Sequence, residues 1–481
     1  MVSADQPEAE VPLFDPASFR DRSARVFLHQ QQILRAVTAD GLSDWQFAES
    51  LPFVRRAMSE GRLIPTQIAT DVITPPAADL NATEFAGVLR HERLPLISYP
   101  YEWCFSMLRD AALLQLSLMQ ESLAEGAILK DASPFNIQFR GVQPIFIDTS
   151  SLTRIRDGRP WDGYQQFCQM FLFPLMLQAY RGVDFHPFLR GRLAGIETTQ
   201  MASLMSIRDL FRRGVFSHVW LHSRLSRSDI PESSKNQRTE VPQSLGRAGF
   251  QSSLIASNVR ALTRIVRGLK WRRDHSMWSH YDSQPSPVQK DGAAKEAFVR
   301  QSLSGKRWKQ VWDIGCNLGR YSRIAAEHAD VVLAMDADHV TIDRLYQDLK
   351  TETGTRVTPL VMNLADPSPS LGWRCLERTP LPDRSRPDLI LCLAVIHHLV
   401  FRENLLLEDV INWLAGLNAS LIIEYIDRED PQLQSLLANR DDQFTDYNLS
   451  SFTRLLSRRF RTLQQATLPS TTRQIFFVEP I

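Results

Sequence analysis

The chain has 481 residues, of which 43% are hydrophobic and 23% are charged, as is typical of soluble globular proteins with two or three domains. Its 55 basic and 54 acidic side chains leave a net charge of +1, so no global field would attract nucleic acid or an anionic membrane. The five scattered cysteines have no zinc-site spacing, and the longest apolar run is too short to span a bilayer. We therefore expect a cytoplasmic protein without a transmembrane segment, a zinc site or a nucleic-acid partner.

In the first half, residues 103–123 carry apolar side chains at helical spacing, and a polar loop follows them. This loop contains Asp131 and, five residues later, Asn136, while Asp148 ends the next apolar strand. Phosphoryl transfer uses such a set, with one acid to orient a hydroxyl and two oxygen ligands for magnesium. These three residues are therefore candidates for a phosphate and metal site.

This order of residues resembles the catalytic and metal loops of protein kinases and, with Pro134 before Asn136, those of aminoglycoside-type kinases. No Gly-rich loop and no Val-Ala-x-Lys strand precede it, and Lys130 stands where kinases carry arginine or glycine. Three interpretations follow. The region is a magnesium-dependent phosphotransferase, a kinase-derived domain that has lost this activity, or a helix and a β-hairpin whose acids cap turns.

Three segments organise the middle of the chain. Residues 167–177 form the longest apolar run and predict a buried helix, whereas residues 224–247 have the polar composition of a flexible linker. Residues 258–273 predict a basic amphipathic helix, which either contacts a membrane surface or a protein partner, or packs on the following domain with its basic face in solvent. We therefore predict domains at residues 1–200 and 276–481, joined by a helical connector at 201–275.

The last third of the chain begins with an apolar strand that ends at Asp313 and turns through Gly315 and Gly319 toward a helix. Glycine permits the backbone conformation and close approach that a strand-to-helix turn over a ligand needs, and we expect the two missing side chains to open a slot. A second apolar strand ends at Asp336, at the distance where such folds place the acid that binds a ribose. The sequence thus predicts a nucleotide-like ligand at this turn.

The charge of Asp313 discriminates between classes of ligand. A pyrophosphate needs bare amides at a helix N-terminus, whereas a carboxylate at the strand end favours a sulfonium and an ammonium. Through Asp313-x-Gly315-x-x-x-Gly319 and Asp336, the chain resembles the class I S-adenosylmethionine-dependent methyltransferases. The resemblance implies that the glycine turn faces the methionine part of the donor and that Asp336 holds the ribose hydroxyls. Asn317 replaces a further glycine of the common turn, and asparagine tolerates positive φ.

The third and fourth strands supply further candidates for donor binding. The third ends at Asn363, where the family has a polar residue beside the adenine, and its amide suits a purine edge while Leu364 offers an apolar face. Asp366 is the reserve candidate. The fourth strand is almost entirely apolar, as expected of a central parallel strand, and it runs through Ala394 toward the carboxyl edge of the sheet.

His397 and His398 follow at the carboxyl end of this fourth strand, beside the expected position of the methyl group. Imidazole titrates near neutral pH, so either histidine suits a general base, although only one of two adjacent strand residues can point into the cleft. Structural roles for both are the alternative. Glu424 and Tyr425 at the end of the fifth strand are rival candidates for catalysis.

Upstream of the first strand, the family often has a lid helix over the donor, and Trp278, Tyr281, Lys295 and Phe298 fall there. Tyr281 and Lys295 are therefore additional site candidates.

As a whole, the chain resembles the NoeA-like nodulation proteins, through the loop at residues 130–136, the segment at 98–103, the linker and the methyltransferase end. The fold class that follows is α/β, with a C-terminal Rossmann-like methyltransferase domain preceded by a mainly helical α+β kinase-like domain. The resemblance implies S-adenosyl-L-methionine as cofactor and an unidentified oxygen or nitrogen acceptor, such as a signal molecule or a cell-surface glycan. The alternative is a scaffold or regulator built from two ligand-binding remnants.

Overall fold

The computed structural model describes residues 13–72, 84–156, 158–227, 252–271, 287–438 and 443–481. Most of the predicted linker lies outside these residues, as do Trp278, Tyr281 and the end of the predicted basic helix at Arg272 and Arg273.

The first half begins with a five-stranded antiparallel sheet that the sequence pattern does not predict. Helices Ala39–Ser50 and Pro52–Ser59 connect its third and fourth strands, and the side chain of Thr38 caps the first of these helices by accepting from Gly41 N. The strand order in the sheet is β1-β2-β3-β5-β4. Its strands are β1 (Leu13–Phe14), β2 (Ala24–His29), β3 (Gln32–Val37), β4 (Thr66–Ile68) and β5 (Gly87–His91).

The predicted long helix is confirmed at Phe105–Ala124, and most of its residues are buried. Helix Ser252–Gly268 packs along it and buries an apolar stripe that includes Val259 and Leu262, while Arg260 and Arg264 are exposed. Of the two alternatives for the basic segment, packing on the second half therefore holds for Trp271, whose ring lies 4.9 Å from that of His339, whereas the apolar stripe of the helix faces the first half. Four short strands follow the long helix, namely β6 (Ala127–Leu129), β7 (Ile137–Arg140), β8 (Gln143–Phe146) and β9 (Leu152–Arg154).

The apolar run at residues 167–177 lies in a continuous, buried helical segment, as predicted. None of the helices in the described part of the chain is long and apolar enough to cross a membrane. The segment consists of Tyr164–Phe167, Cys168–Leu172, Phe173–Met176 and Leu177–Arg181, and it is followed by His186–Gly191, Thr198–Leu204, Phe216–Leu221 and His222–Arg227.

The second half contains a seven-stranded mixed sheet in the order β12-β11-β10-β13-β14-β16-β15. The first five strands in this order are parallel, and β16 and β15 run antiparallel at one edge. The pattern predicts all of these strands except β15. They span Trp308–Ile314 (β10), Ala329–Asp336 (β11), Val357–Val361 (β12), Leu389–Cys392 (β13), Ser420–Ile426 (β14), Phe460–Thr467 (β15) and Arg473–Pro480 (β16).

Helices cover this sheet, and the strand order reverses beside β10, where open α/β sheets bind ligands at the carboxyl edge. The helices are Pro287–Leu303, Arg320–His328, His339–Leu349, Leu381–Arg384, Ile396–Phe401, Leu407–Gly416, Pro431–Leu437 and Leu449–Ser457.

The two halves are joined by buried polar contacts. Asp343 on helix His339–Leu349 accepts a hydrogen bond from the backbone N–H of Ser106 at 2.7 Å, at the start of the long helix. Arg384 and Glu102 form an ion pair across the same contact, with both side chains almost completely buried. A buried polar group must be paired to avoid a desolvation cost, so these pairs fix how the first half sits on the sheet.

Candidate functional site

A cavity of about 730 Å³ lies at the carboxyl edge of the seven-stranded sheet. Residues that follow or end β10, β11, β12, β13 and β14 line it, and its size is that of a small-molecule site. Of the sequence-predicted residues, those that line it are Asp313, Gly315, Asn317, Asp336, Asn363, Leu364, Ala394, His398, Glu424 and Lys295.

The glycine turn between β10 and helix Arg320–His328 has the predicted backbone conformation. Gly315 and Gly319 have φ of 69° and 75°, and Asn317 has φ of 48°, so asparagine takes the left-handed conformation that the turn requires. The expectation of a slot for a ligand is wrong for both glycines. A Cβ at Gly315 would lie 2.4 Å from Val395 and one at Gly319 would lie 2.6 Å from Leu345, so protein side chains occupy this space. Gly319 does not line the cavity.

Asp313 is the penultimate residue of β10, directly before this turn, and is almost fully buried. Its carboxyl accepts a hydrogen bond from Ser322 Oγ at 2.5 Å. Burial raises the pKa of Asp313 to about 7, even though the Ser322 bond favours the charged form. The carboxyl is therefore only partly ionised at neutral pH, and a nearby cation would shift it toward the anion.

Asp336 ends β11 and holds the turn in place. Its Oδ2 accepts from Asn317 N at 3.0 Å, and its Oδ1 accepts from Asp338 N at 2.9 Å. Burial raises the pKa of Asp336, while these backbone hydrogen bonds oppose that shift. The carboxylate is thus oriented by two amides at the edge of the cavity.

Asn363 and Leu364 follow β12 and line the same side of the cavity. Asn363 Oδ1 accepts from Ala365 N at 3.0 Å, so the turn fixes the amide and leaves its NH₂ group to donate. The reserve candidate Asp366 is held by Arg190 of the first half, with two contacts of 2.7 Å, and does not line the cavity.

The two histidines are not on a strand, contrary to the prediction. β13 ends at Cys392, and Ala394 has φ of 57°, which turns the chain into the short helix Ile396–Phe401. His398 lines the cavity, whereas His397 is 2% exposed and does not. Burial lowers the pKa of His398 to about 4, and burial also lowers the pKa of His397 well below its usual value, so both imidazoles are neutral at pH 7.

Glu424 on β14 is neither a helix cap nor a surface residue. It is buried and accepts a hydrogen bond from Lys295 Nζ at 2.5 Å, from the helix that precedes the sheet. Arg473 on β16 lies 3.7 Å from Glu424 and is paired with Asp430 at 2.8 Å. Tyr425 instead packs on Tyr447 in the core and does not line the cavity.

Several lining residues have no local sequence signal. Arg473 and Asp291 belong to the buried charge network at one end of the cavity, and Asp184, His186 and Pro187 reach it from the first half. They come together only through tertiary contacts, so motif spacing does not reveal them.

The kinase-like candidates lie in a separate cluster in the first half. Asp148 Oδ1 accepts from Arg35 and from Ser150, both at 2.7 Å, and its Oδ2 accepts from Asn136 at 3.3 Å. The pKa of Asp131 is raised by burial and by the neighbouring charge of Asp148. Within the residues that the structure describes, no group of three or more His, Cys, Asp or Glu could hold a metal ion.

Comparison with known structures gives matches of low identity. The chain is similar to the N-methyltransferase NodS from Bradyrhizobium japonicum WM9, with 12% identity and a TM-score of 0.30 over 40% of this chain and 99% of that one. Magnesium protoporphyrin IX methyltransferase from Synechocystis PCC 6803 matches with 14% identity and a TM-score of 0.28 over 44% and 88% of the two chains.

Comparison of sequences gives a relative of nearly the same length, although no family model matches the chain. Nodulation protein NoeA from Rhizobium meliloti (strain 1021) is 33% identical over 465 residues, which cover 96% of this chain and 95% of the relative. The chain therefore belongs to the NoeA family of nodulation proteins.

Proposed function

We propose that this protein transfers a methyl group from S-adenosyl-L-methionine to an acceptor at the carboxyl edge of the seven-stranded sheet. The observation that carries this proposal is the pair of carboxyl groups that line the cavity beside the glycine turn. Asp313 and Asp336 line that end, where a phosphate would meet two carboxyl groups. A sulfonium is cationic and carries no phosphate, so the same groups favour it.

The lining residues fit the parts of such a donor. Gly315 and Asn317 would face its methionine part, and Asp336 would accept hydrogen bonds from the ribose hydroxyls. Asn363 would donate to the purine edge, with Leu364 packed on the ring. Ala394, at the turn after β13, would lie near the sulfonium.

When bound, the donor supplies an electrophilic methyl group. The protein must then orient the acceptor and remove a proton if the acceptor is a hydroxyl or an amine. His398 is our candidate base, because it lines the cavity and its imidazole is neutral at pH 7. Its pKa of about 4 makes it a weaker base than a free imidazole, whose near-neutral pKa led to the sequence prediction. Glu424 is the rival, but Lys295 already holds its carboxylate.

The acceptor is an oxygen or nitrogen nucleophile on a small molecule or a glycan. The relative from Rhizobium meliloti is named a nodulation protein. On that ground we propose that the acceptor is a molecule of nodulation signalling. If this protein binds no donor, its function would instead be that of a scaffold or regulator.

For the first half we propose a kinase-like arrangement that has lost phosphoryl transfer. Phosphotransferases use the acid at the position of Asp148 to bind magnesium. Here both oxygens of Asp148 accept hydrogen bonds from protein groups, and the guanidinium of Arg35 neutralises its charge. A magnesium ion would have to displace Arg35, so a binding or regulatory role fits this cluster better than catalysis.

Asp336→Ala is expected to weaken S-adenosylmethionine binding by about a hundredfold, because two charge-assisted hydrogen bonds to the ribose are lost. Isothermal titration calorimetry measures this effect. Asp330→Ala is the matched control, since Asp330 is the second residue of the same strand, at the opposite edge of the sheet, and pairs with Arg307 on the surface. Equal affinities of the two variants would contradict the role of Asp336, and no binding by the wild type would favour the scaffold.

Donor affinity is expected to rise with pH through the pKa of Asp313, which is about 7 in the free protein. Below that pH the carboxyl must first lose a proton to attract a cation, so the affinity should fall by up to about tenfold per pH unit. Calorimetry between about pH 6 and pH 8 tests this, with Asp313→Asn as the control that removes the titrating group. Identical pH profiles of wild type and variant would refute the prediction.

His398→Ala should lower methyl transfer by about 10²- to 10⁴-fold with little change in donor affinity, as loss of a general base does. His397→Ala should mainly lower the unfolding temperature, because its imidazole is buried outside the cavity. Transfer of radiolabel from the donor into a fractionated cell extract measures the first effect. Equal methyl transfer by the two variants would contradict the role of His398 as the general base.

The first half is expected to show no magnesium-dependent nucleotide binding, because Asp148 is already paired with Arg35. A fluorescent ATP analogue titrated with and without magnesium measures this in the full chain. Binding that requires magnesium and disappears in Asp148→Asn would restore the phosphotransferase interpretation.

A further inference from the structure

The cavity at the sheet edge has one wall that comes from the first half of the chain. Asp184, His186 and Pro187 line it together with Asp336 and Asn363. The wall therefore stands at the ends of β11 and β12, which are the strands that our proposed function assigns to the ribose and the purine.

The segment that forms this wall is anchored within the first half. It begins after Gly182, whose φ of 66° ends the preceding helix, and it continues into the short helix His186–Gly191. Phe185 and Leu189 are buried in the core. His186 Nε2 lies 2.9 Å from the backbone oxygen of Trp103, which fixes the ring.

The same segment also contacts two loops of the second half, those that follow β11 and β12. His339 Nε2, after β11, lies 3.5 Å from Asp184 Oδ1, and its ring lies 5.3 Å from that of His186. After β12, Arg190 holds Asp366 through two hydrogen bonds of 2.7 Å and also donates to the backbone oxygen of Pro367 at 3.1 Å. The wall is thus tied to the loop of each strand that would contact the adenosyl group.

We infer that the adenosyl end of the donor is enclosed between the two halves, so that the first half completes the donor site. This inference rests on the proposed function. A planar Arg–carboxylate pair fixes orientation as well as distance, and the Arg190–Asp366 pair therefore sets how closely the wall approaches the purine. Because binding and docking are linked reciprocally, donor binding also stabilises the contact between the halves.

This enclosure gives the first half a function that does not depend on phosphoryl transfer. A protein or small molecule that moves residues 184–190 would change donor affinity without touching the seven-stranded sheet. The acceptor would enter beside Arg402 and Glu403, which line the cavity from the second half.

The test uses the full chain with two ligands that share the adenosyl group. Arg190→Ala is expected to weaken binding of S-adenosylmethionine and of 5′-methylthioadenosine by the same factor, about tenfold, because the second ligand keeps the adenosyl group while it lacks the amino-acid part and the sulfonium charge. Asp184→Ala should act in the same direction. The matched control is Arg192→Ala, which removes an exposed arginine paired with Glu197 outside the cavity and should leave both affinities unchanged.

A double-mutant cycle distinguishes two roles of Asp366: holding Arg190, or contacting the donor directly. If Asp366 acts only by holding Arg190, the Arg190→Ala/Asp366→Ala double variant should bind the donor as weakly as either single variant. Additive losses of affinity would mean that Asp366 contacts the donor itself, which would contradict the indirect role of the Arg190–Asp366 pair. Circular dichroism and thermal unfolding of each variant without ligand show whether it is folded. If the wild type binds both ligands and Arg190→Ala and Asp184→Ala match Arg192→Ala, the shared site is refuted while the proposed function stands. If the wild type binds neither ligand, the proposed function itself fails.

Discussion

The long helix of the first half is capped by a carboxylate from the second half. Helix Phe105–Ala124 has Cys104 at its N-cap position, with no side-chain hydrogen bond from that residue. Asp343, more than 200 residues away in sequence, accepts from Ser106 N instead and also from Ser106 Oγ at 3.2 Å. A helix N-terminus leaves backbone donors unpaired and favours negative charge, so this contact stabilises the helix and the association of the halves together.

Other polar contacts lie between the same two helices, Phe105–Ala124 and His339–Leu349. Tyr346 donates to Asp110 at 2.9 Å, one turn further along each helix, and Lys350, directly after helix His339–Leu349, pairs with Asp110 at 2.5 Å. These bonds set the axial register between the first-half core and the sheet. The position of residues 184–190 over the cavity depends on that register, since His186 is fixed to Trp103, which lies directly before the long helix.

Burial sets the chemistry inside the cavity. It raises the pKa of Asp313 to about 7 and lowers that of His398 to about 4, so the cavity holds less charge at neutral pH than its residues would in water. The charges that remain fully buried are paired, as between Lys295 and Glu424 and between Arg473 and Asp430. Breaking one partner of such a pair is strongly destabilising, so these pairs hold Lys295, Glu424 and Arg473 in place where they line the cavity.

The sequence by itself determined the features that depend on neighbours in the chain. The strand-turn-helix at Asp313 to Gly319 and the strand-end positions of Asp336 and Asn363 were predicted, because strand periodicity and turn chemistry act over a few residues. Five parallel strands were predicted for the same reason. The length of β13 was not, since the chain turns at Ala394, whose φ is positive, and Val395 then packs against Gly315 of a distant turn.

Tertiary structure decided which candidates meet. It separated His398 from its neighbour His397, paired Glu424 with Lys295 across 129 positions, and brought Asp184 to the cavity. It also revealed the antiparallel sheet of the first half, whose short strands carry only weak alternation of polar and apolar residues. These outcomes depend on contacts between residues far apart in the chain, and a local pattern of residue types contains no information about such distances.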